Sequence, residues 1–288
     1  MKKQTLFLSA AGLGGIAGFF LRLWQNQTGF EPETGLPIPG SPAGILLVAL
    51  LAAMAAVLFL LSRTLPQNSE NPPAFPADFS TENAALLMLP VTGIFLIAFS
   101  GILDILVGLN ILSSVSAELP GFGTVFLVVA PKLSTALHLV LGVLSLASAG
   151  ALMLSLVACR HSGKRAAPFD GTYLLLPVIS MVAHLVLTYR ADTLNPSAQV
   201  YYVELLTLTF LVLSFSRLSS FAFEAGRTRA FALCVGFSTV LTLTLLSDSN
   251  VFLSSLLLYL GSSAVLLGFL ILLLEEPSAP VPEEAEDA

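Results

Sequence analysis

Four side chains that can carry a proton stand inside otherwise apolar stretches of this 288-residue chain: Asp104, His138, His184 and Glu204. A carboxylate takes up a proton or a hard cation, and imidazole changes charge between about pH 5 and 8. Held together away from water, the two types make a proton relay or an ion site, and ionisable groups inside a membrane normally face one another or a watery cavity. Three bases, Arg22, Lys132 and Arg190, lie near the ends of apolar runs. There they would line the rim of such a cavity and orient an anionic group, or simply anchor helix ends at a membrane surface.

The spacing of neighbouring polar residues supports inward placement. Ser134, His138, Gly142 and Ser145 recur at helical intervals on one stripe, and Ser180, His184 and Thr188 form another. His138 lies about 9 Å along a helix from Lys132 at 1.5 Å per residue. The same bookkeeping puts Asp104, Glu204 and both histidines in the outer half of their segments. The four therefore mark a candidate ligand- or proton-binding group in an outward-facing polar cavity. Internal pairing, such as Asp104 with a histidine, would satisfy them equally well without a ligand.

The elements that must position these residues are membrane helices. Hydrophobic residues make up 56% of the chain and charged residues 10%, against roughly 25% charged in soluble domains, which leaves too little polar surface for a water-soluble globule. Runs of about 20 apolar residues, each able to cross a ~30 Å hydrocarbon layer as a helix, recur along the chain. The expectation is an all-α polytopic bundle of about eight spans, near 5–25, 43–63, 84–112, 132–159, 172–191, 199–222, 229–248 and 251–274. From 122 to 159 one straight helix would measure about 57 Å, too long for a single span. Pro131 is the natural break, leaving a short interfacial or re-entrant segment before span four.

Residues 1–274 form the bundle in this reading, and 275–288, with six acids and no base, form a disordered acidic cytoplasmic tail. Without that tail, twelve acids face twelve bases. The apolar start behind Lys2 and Lys3 is expected to be a retained anchor, with Gly14 and Gly18 on a small-residue stripe that admits a neighbouring helix. Cys159 and Cys234 fall toward the inner ends of their spans and imply no disulfide. The phrases "LMLPV" at 87–91 and "LLLPV" at 174–178 echo each other and would suit a duplicated helical hairpin in parallel orientation.

The segment "LRLWQ" and the loop "QNQTGFEPETGLPIPGSP" that overlaps its end resemble uncharacterised multispanning membrane proteins of clostridial-type bacteria, over roughly the first 60 residues. The resemblance implies a multi-pass protein of a bacterial cytoplasmic membrane and brings no activity with it.

No P-loop, GxSxG, HExxH or CxxC arrangement occurs, so nothing points to an enzyme, and no cofactor is called for. Nucleic acid is excluded as a partner by the lack of a dense basic patch. Partners would be the lipid bilayer, a small polar solute or ion, or another membrane subunit. Three readings follow. The first is a secondary-transporter-like or solute-binding membrane protein. The second is a structural or sensory protein that holds lipid or a partner. The third is a subunit ligating haem or a metal ion through His138 and His184.

Orientation follows from Lys and Arg, which favour cytoplasmic loops. Nine of the twelve bases fall on the side of the N-terminus, and only Arg22, Lys132 and Arg190 on the other. Both termini are therefore expected inside. A reporter fused after Ala288 should signal a cytoplasmic location and one inserted between Pro37 and Gly40 an external one; the reverse pattern would overturn the assignment.

Overall fold

The computed structural model describes residues 2–31, 36–65, 75–81, 83–111, 115–119, 123–128, 134–161, 170–192, 202–248 and 251–275. Its helices are α1 (Lys2–Thr28), α2 (Pro42–Arg63), α3 (Ala84–Gly108), α4 (Thr135–His161), α5 (Leu175–Asp192), α6 (Tyr202–Ala222), α7 (Thr228–Leu245) and α8 (Leu253–Leu274). Each is long and apolar enough to cross a membrane. The chain is an all-α polytopic membrane protein, and every expected span has its helix.

Local chemistry sets several of the ends. Pro42 opens α2 with its φ already helical. The Asn83 side chain accepts from the Ala85 N–H at the start of α3, and Asp170 accepts from the Thr172 N–H ahead of α5. Each cap precedes a helix proline, Pro90 or Pro177, by the same seven residues, so the echo between the two phrases extends to their caps. The Thr172 hydroxyl, and then its N–H, hold the Asp170 carboxyl below the ordinary carboxylate range. A depressed carboxylate contributes at neutral pH, and its contribution fades as pH falls through the folded-state value. At the far end of α3, Asn110 takes a left-handed φ of 56° while Ile111 N–H bonds Leu106 O at 3.0 Å. This is a Schellman stop built on asparagine.

Between α3 and α4, where a short interfacial or re-entrant segment is expected, the structure has a hairpin. Strands β1 (Val115–Leu119) and β2 (Gly123–Val128) pair antiparallel as a hairpin. Val115, Val125, Phe126 and Val128 favour extended chain, which the apolar count alone did not register. Pro131, Lys132 and the tail at 276–288 lie outside the described residues.

Helices α3, α4, α5, α6 and α8 pack in a closed ring, each touching the next, with α8 returning to α3. Helices α1 and α2 lie outside the ring and pack on it mainly through α7, which touches α1, α2, α6 and α8 and is the most buried span. Gly14 meets Met54 of α2, and Gly15 and Gly18 meet Leu243 and Thr244 of α7, so the small-residue stripe of α1 serves close packing as its pattern implied. Gln4 Nε2 donates to Leu274 O at 2.6 Å, which puts both ends of the bundle's chain on one side.

That end is closed by aromatic rings. The connector after α2 looks polar in sequence, yet Phe75 and Phe79 turn inward and meet Phe221 of α6 and Phe269 of α8, and Phe221 in turn meets Phe231 of α7. The ring centroids are 5.3 Å apart for Phe79 and Phe221 and 5.5 Å for Phe221 and Phe231, both edge to face.

Helix α3 is held by bare backbone on both sides. A Cβ on Gly261 would lie 2.6 Å from Gly93 O, and one on Gly142 would lie 2.7 Å from Gly101 O. No side chain fits at either crossing. Gly93→Leu should therefore lower the unfolding midpoint in detergent, at an overpacking cost of about 1–3 kcal/mol. Gly150→Ala, on α4 with open space around it, should match or exceed wild type because alanine is the better helix former.

Candidate functional site

The half of the ring remote from Gln4 and Leu274 collects the polar side chains. Asp104 sits on α3 one turn beyond Ser100, whose hydroxyl donates to Ser254 O of α8 at 2.7 Å. The bond fixes the rotation of α3, and the Gly101–Gly142 contact brings α4 against it, so that His138 faces Asp104. Asp104 Oδ1 and His138 Nδ1 are 3.6 Å apart, within ion-pair range and beyond a hydrogen bond. Neither ring nitrogen of His138 has a hydrogen-bond partner among the described residues, although both atoms are buried.

One and two turns further along the same stripe of α4, Gly142 lies against α3 and Ser145 reaches α5. Ser145 Oγ and His184 Nε2 are 3.1 Å apart, and His184 lies in the electrostatic fields of Asp104 and His138. The two stripes thus meet at Ser145 and His184, while Ser134 at the start of the first is exposed. Ser180, one turn below His184, is fully buried and its hydroxyl has no hydrogen-bond partner among the described residues. Asp104 and His138 thus face each other across α3 and α4, and His184 of α5 is held beside them by the Ser145 hydroxyl.

Glu204, buried in the first turn of α6, belongs to a second cluster. Tyr259 of α8, 1% exposed, donates its hydroxyl to Glu204 Oε1 at 2.8 Å. Ser255 of α8 and Thr188 of α5 are neighbours of the Tyr259 side chain. Thr188 is one turn above His184 on α5, so a single helix borders both clusters. Sequence reasoning missed Tyr259. Its one available signal was a lone phenol in the aliphatic run "LLLYLG".

Arg22 is not at a rim but wholly buried, because the Gly14–Gly18 stripe carries it against α7. Its guanidinium grips Asp248 in bidentate fashion, with Nε to Oδ1 at 2.6 Å and Nη2 to Oδ2 at 2.9 Å. Nη1 donates to Gln25 Oε1 at 2.8 Å, Asn26 Nδ2 donates to Asp248 Oδ1 at 2.9 Å, and the Tyr202 ring lies under the guanidinium. This clamp joins α1 to α7. Arg190 is exposed near the end of α5, and Lys132 lies outside the described residues.

For haem or metal, the donor set is thin. His184 directs Nε2 to Ser145, and no group of three or more His, Cys, Asp or Glu side chains able to hold a metal ion occurs among the described residues.

Fold and site together define a multi-pass membrane protein with two polar clusters inside a five-helix ring. No family model matches the chain, and neither a curated protein nor a solved structure is found similar to it.

The buried clamp gives a direct test of architecture. Losing one partner of a buried ion pair costs about 3–5 kcal/mol, whereas replacing both with apolar residues is often neutral. Arg22→Met and Asp248→Leu should each depress the unfolding midpoint strongly, and the double variant should recover most of the loss. Additive losses would show that the two residues do not act as a pair.

Proposed function

We propose that this integral membrane protein is a secondary-transporter-like or solute-binding protein of the cytoplasmic membrane, with Asp104, His138 and His184 as its proton-binding element. One observation carries the reading. A carboxylate and two imidazoles from α3, α4 and α5 converge in a buried cluster in which both nitrogens of His138 lack hydrogen bonds among the described residues. A purely architectural cluster would close those bonds, as the Arg22–Asp248 clamp does, because an unmade hydrogen bond in an apolar interior costs about 1–3 kcal/mol.

The chemistry follows from the distances. A proton on His138 turns the 3.6 Å contact with Asp104 into an ion pair that a small approach of α4 to α3 would shorten into a hydrogen bond. Loss of the proton leaves a carboxylate facing a neutral ring. The protonation state therefore biases how closely α4 sits on α3 near the outer end, and a solute bound there would be coupled to the proton through the same contact. Serines 145 and 180 supply hydroxyls for a polar solute.

The structural reading has its own support in the Arg22–Asp248 clamp, which accounts for much of the outer polarity without any ligand.

A thermal-shift screen of small polar solutes between about pH 5.5 and 8, where imidazole changes charge, tests the proposal. A ligand that binds only the folded state must raise its unfolding midpoint. Some solute should stabilise the wild type in a pH-dependent way, and Asp104→Asn should abolish or flatten that dependence. If no solute shifts the wild type, or if Asp104→Asn keeps every shift with its pH profile intact, the protein is structural or sensory instead.

A further inference from the structure

We propose that the five-helix ring holds internal water, one or two molecules bridging the hydroxyls of Ser180 on α5 and Ser262 on α8. Both side chains are 0% exposed, and neither hydroxyl has a hydrogen-bond partner among the described residues. That sets them apart from most buried hydroxyls of this bundle. Ser155, Thr207, Ser214, Ser238 and Thr244 each donate to a carbonyl of their own helix. A buried hydroxyl left without a partner loses its hydration for nothing in return, and ordered water is what usually supplies the missing bond.

The two hydroxyls face the same space. Ser180 lies one turn from His184, on the stripe that turns to α4. On α8, Gly261 meets α3 and Tyr259 meets Glu204 of α6. At about 100° per residue, Ser262 falls within the narrower arc between those two directions. Because α3 and α6 are the neighbours of α8 in the ring, that arc looks into the ring's interior.

Depth follows from three printed contacts and the helical rise of about 1.5 Å per residue. Gly142 meets Gly101 and Ser145 meets His184, so Ser180 lies about 10 Å from the Gly101–Gly142 crossing, toward the Gln4–Leu274 end. Gly93 meets Gly261, which puts Ser262 about 13 Å from that crossing in the same direction. The hydroxyls are thus nearly level. They do not meet directly, because α5 and α8 are not adjacent in the ring, and serine side chains are too short to span helices that stand farther apart than the roughly 8–10 Å of packed neighbours.

A third hydroxyl stands at this level. Ser148 Oγ of α4 is 3.3 Å from Leu176 O, the carbonyl that the Ser180 N–H meets in helical geometry. Ser148 Oγ also donates to Leu144 O at 2.8 Å and keeps acceptor capacity. Three hydroxyls from α4, α5 and α8 supply the two to four polar partners that a buried water needs. The water site rests on this geometry alone. On the transport reading it also carries the polar path one turn beyond His184, since hydroxyl and water both donate and accept.

The test is a double-mutant cycle on the full chain in detergent, with Ser180→Ala and Ser262→Ala. Either change alone releases the shared water, so the double variant should lose clearly less in unfolding midpoint than the sum of the single losses. The better helix propensity of alanine adds independently at each site and cancels in the cycle. Ser180→Ala combined with Ser214→Ala, whose hydroxyl is bonded within its own helix, should be additive. A structure of the wild type at a resolution that shows ordered water should place water within hydrogen-bonding distance of both Oγ atoms. Additive shifts for Ser180→Ala with Ser262→Ala would overturn the proposal, as would a structure in which both hydroxyls turn onto carbonyls of their own helices. A non-additive cycle beside a solute screen without any pH-dependent stabilisation would leave the water site standing and remove the transport reading. Additive shifts beside a pH-dependent solute response would do the reverse.

Discussion

The contact of bare backbone along α3 is the constraint from which the rest of the bundle follows. Gly93 meets Gly261 on one side and Gly101 meets Gly142 on the other, so α3 lies nearly in touch with α8 and α4 at once. In a membrane no hydrophobic force separates helix from lipid, and association depends on such close fits and on internal hydrogen bonds. With α3 pinned, Ser100 reaches α8, Asp104 reaches His138, and the ring closes through α5 and α6. The polar clusters occupy places that the glycines determine.

Low dielectric then decides what the polar groups can do. Every ionisable side chain described in the interior has another polar group near it, but the fit varies. Arg22 and Asp248 meet with the two-pronged geometry that suits guanidinium and carboxylate. Glu204 and Tyr259 are joined by one short bond. Asp104 and His138 face each other without bonding. The order runs from fastening to reactivity, since a well-satisfied group has little to gain from a new partner.

Much of this was legible in the sequence, for reasons particular to membrane chains. The apolar runs had to be helices because lipid offers no partner to free backbone groups, and α1 to α8 fall where those runs lie. The stripes of His138, Gly142 and Ser145 and of Ser180, His184 and Thr188 could be read because helical spacing alone puts them on one face. The partner of Arg22 could not, since Asp248 lies 226 residues away and nothing local to either residue names the other. Phe75 and Phe79 were hidden by the prolines and polar residues around them, and the hairpin was hidden because apolar content does not distinguish strand from helix over so short a length.

The interlocked phenylalanines at the end of the bundle that holds Gln4 and Leu274 have a mechanical meaning. Rings packed edge to face between three helices and a connector resist sliding, because each displacement opens a gap that nothing in a dense interior fills. At the opposite end the helices are joined by polar contacts, among them the Arg22–Asp248 clamp. Sliding of one helix along another is therefore opposed most strongly at the end that carries the rings.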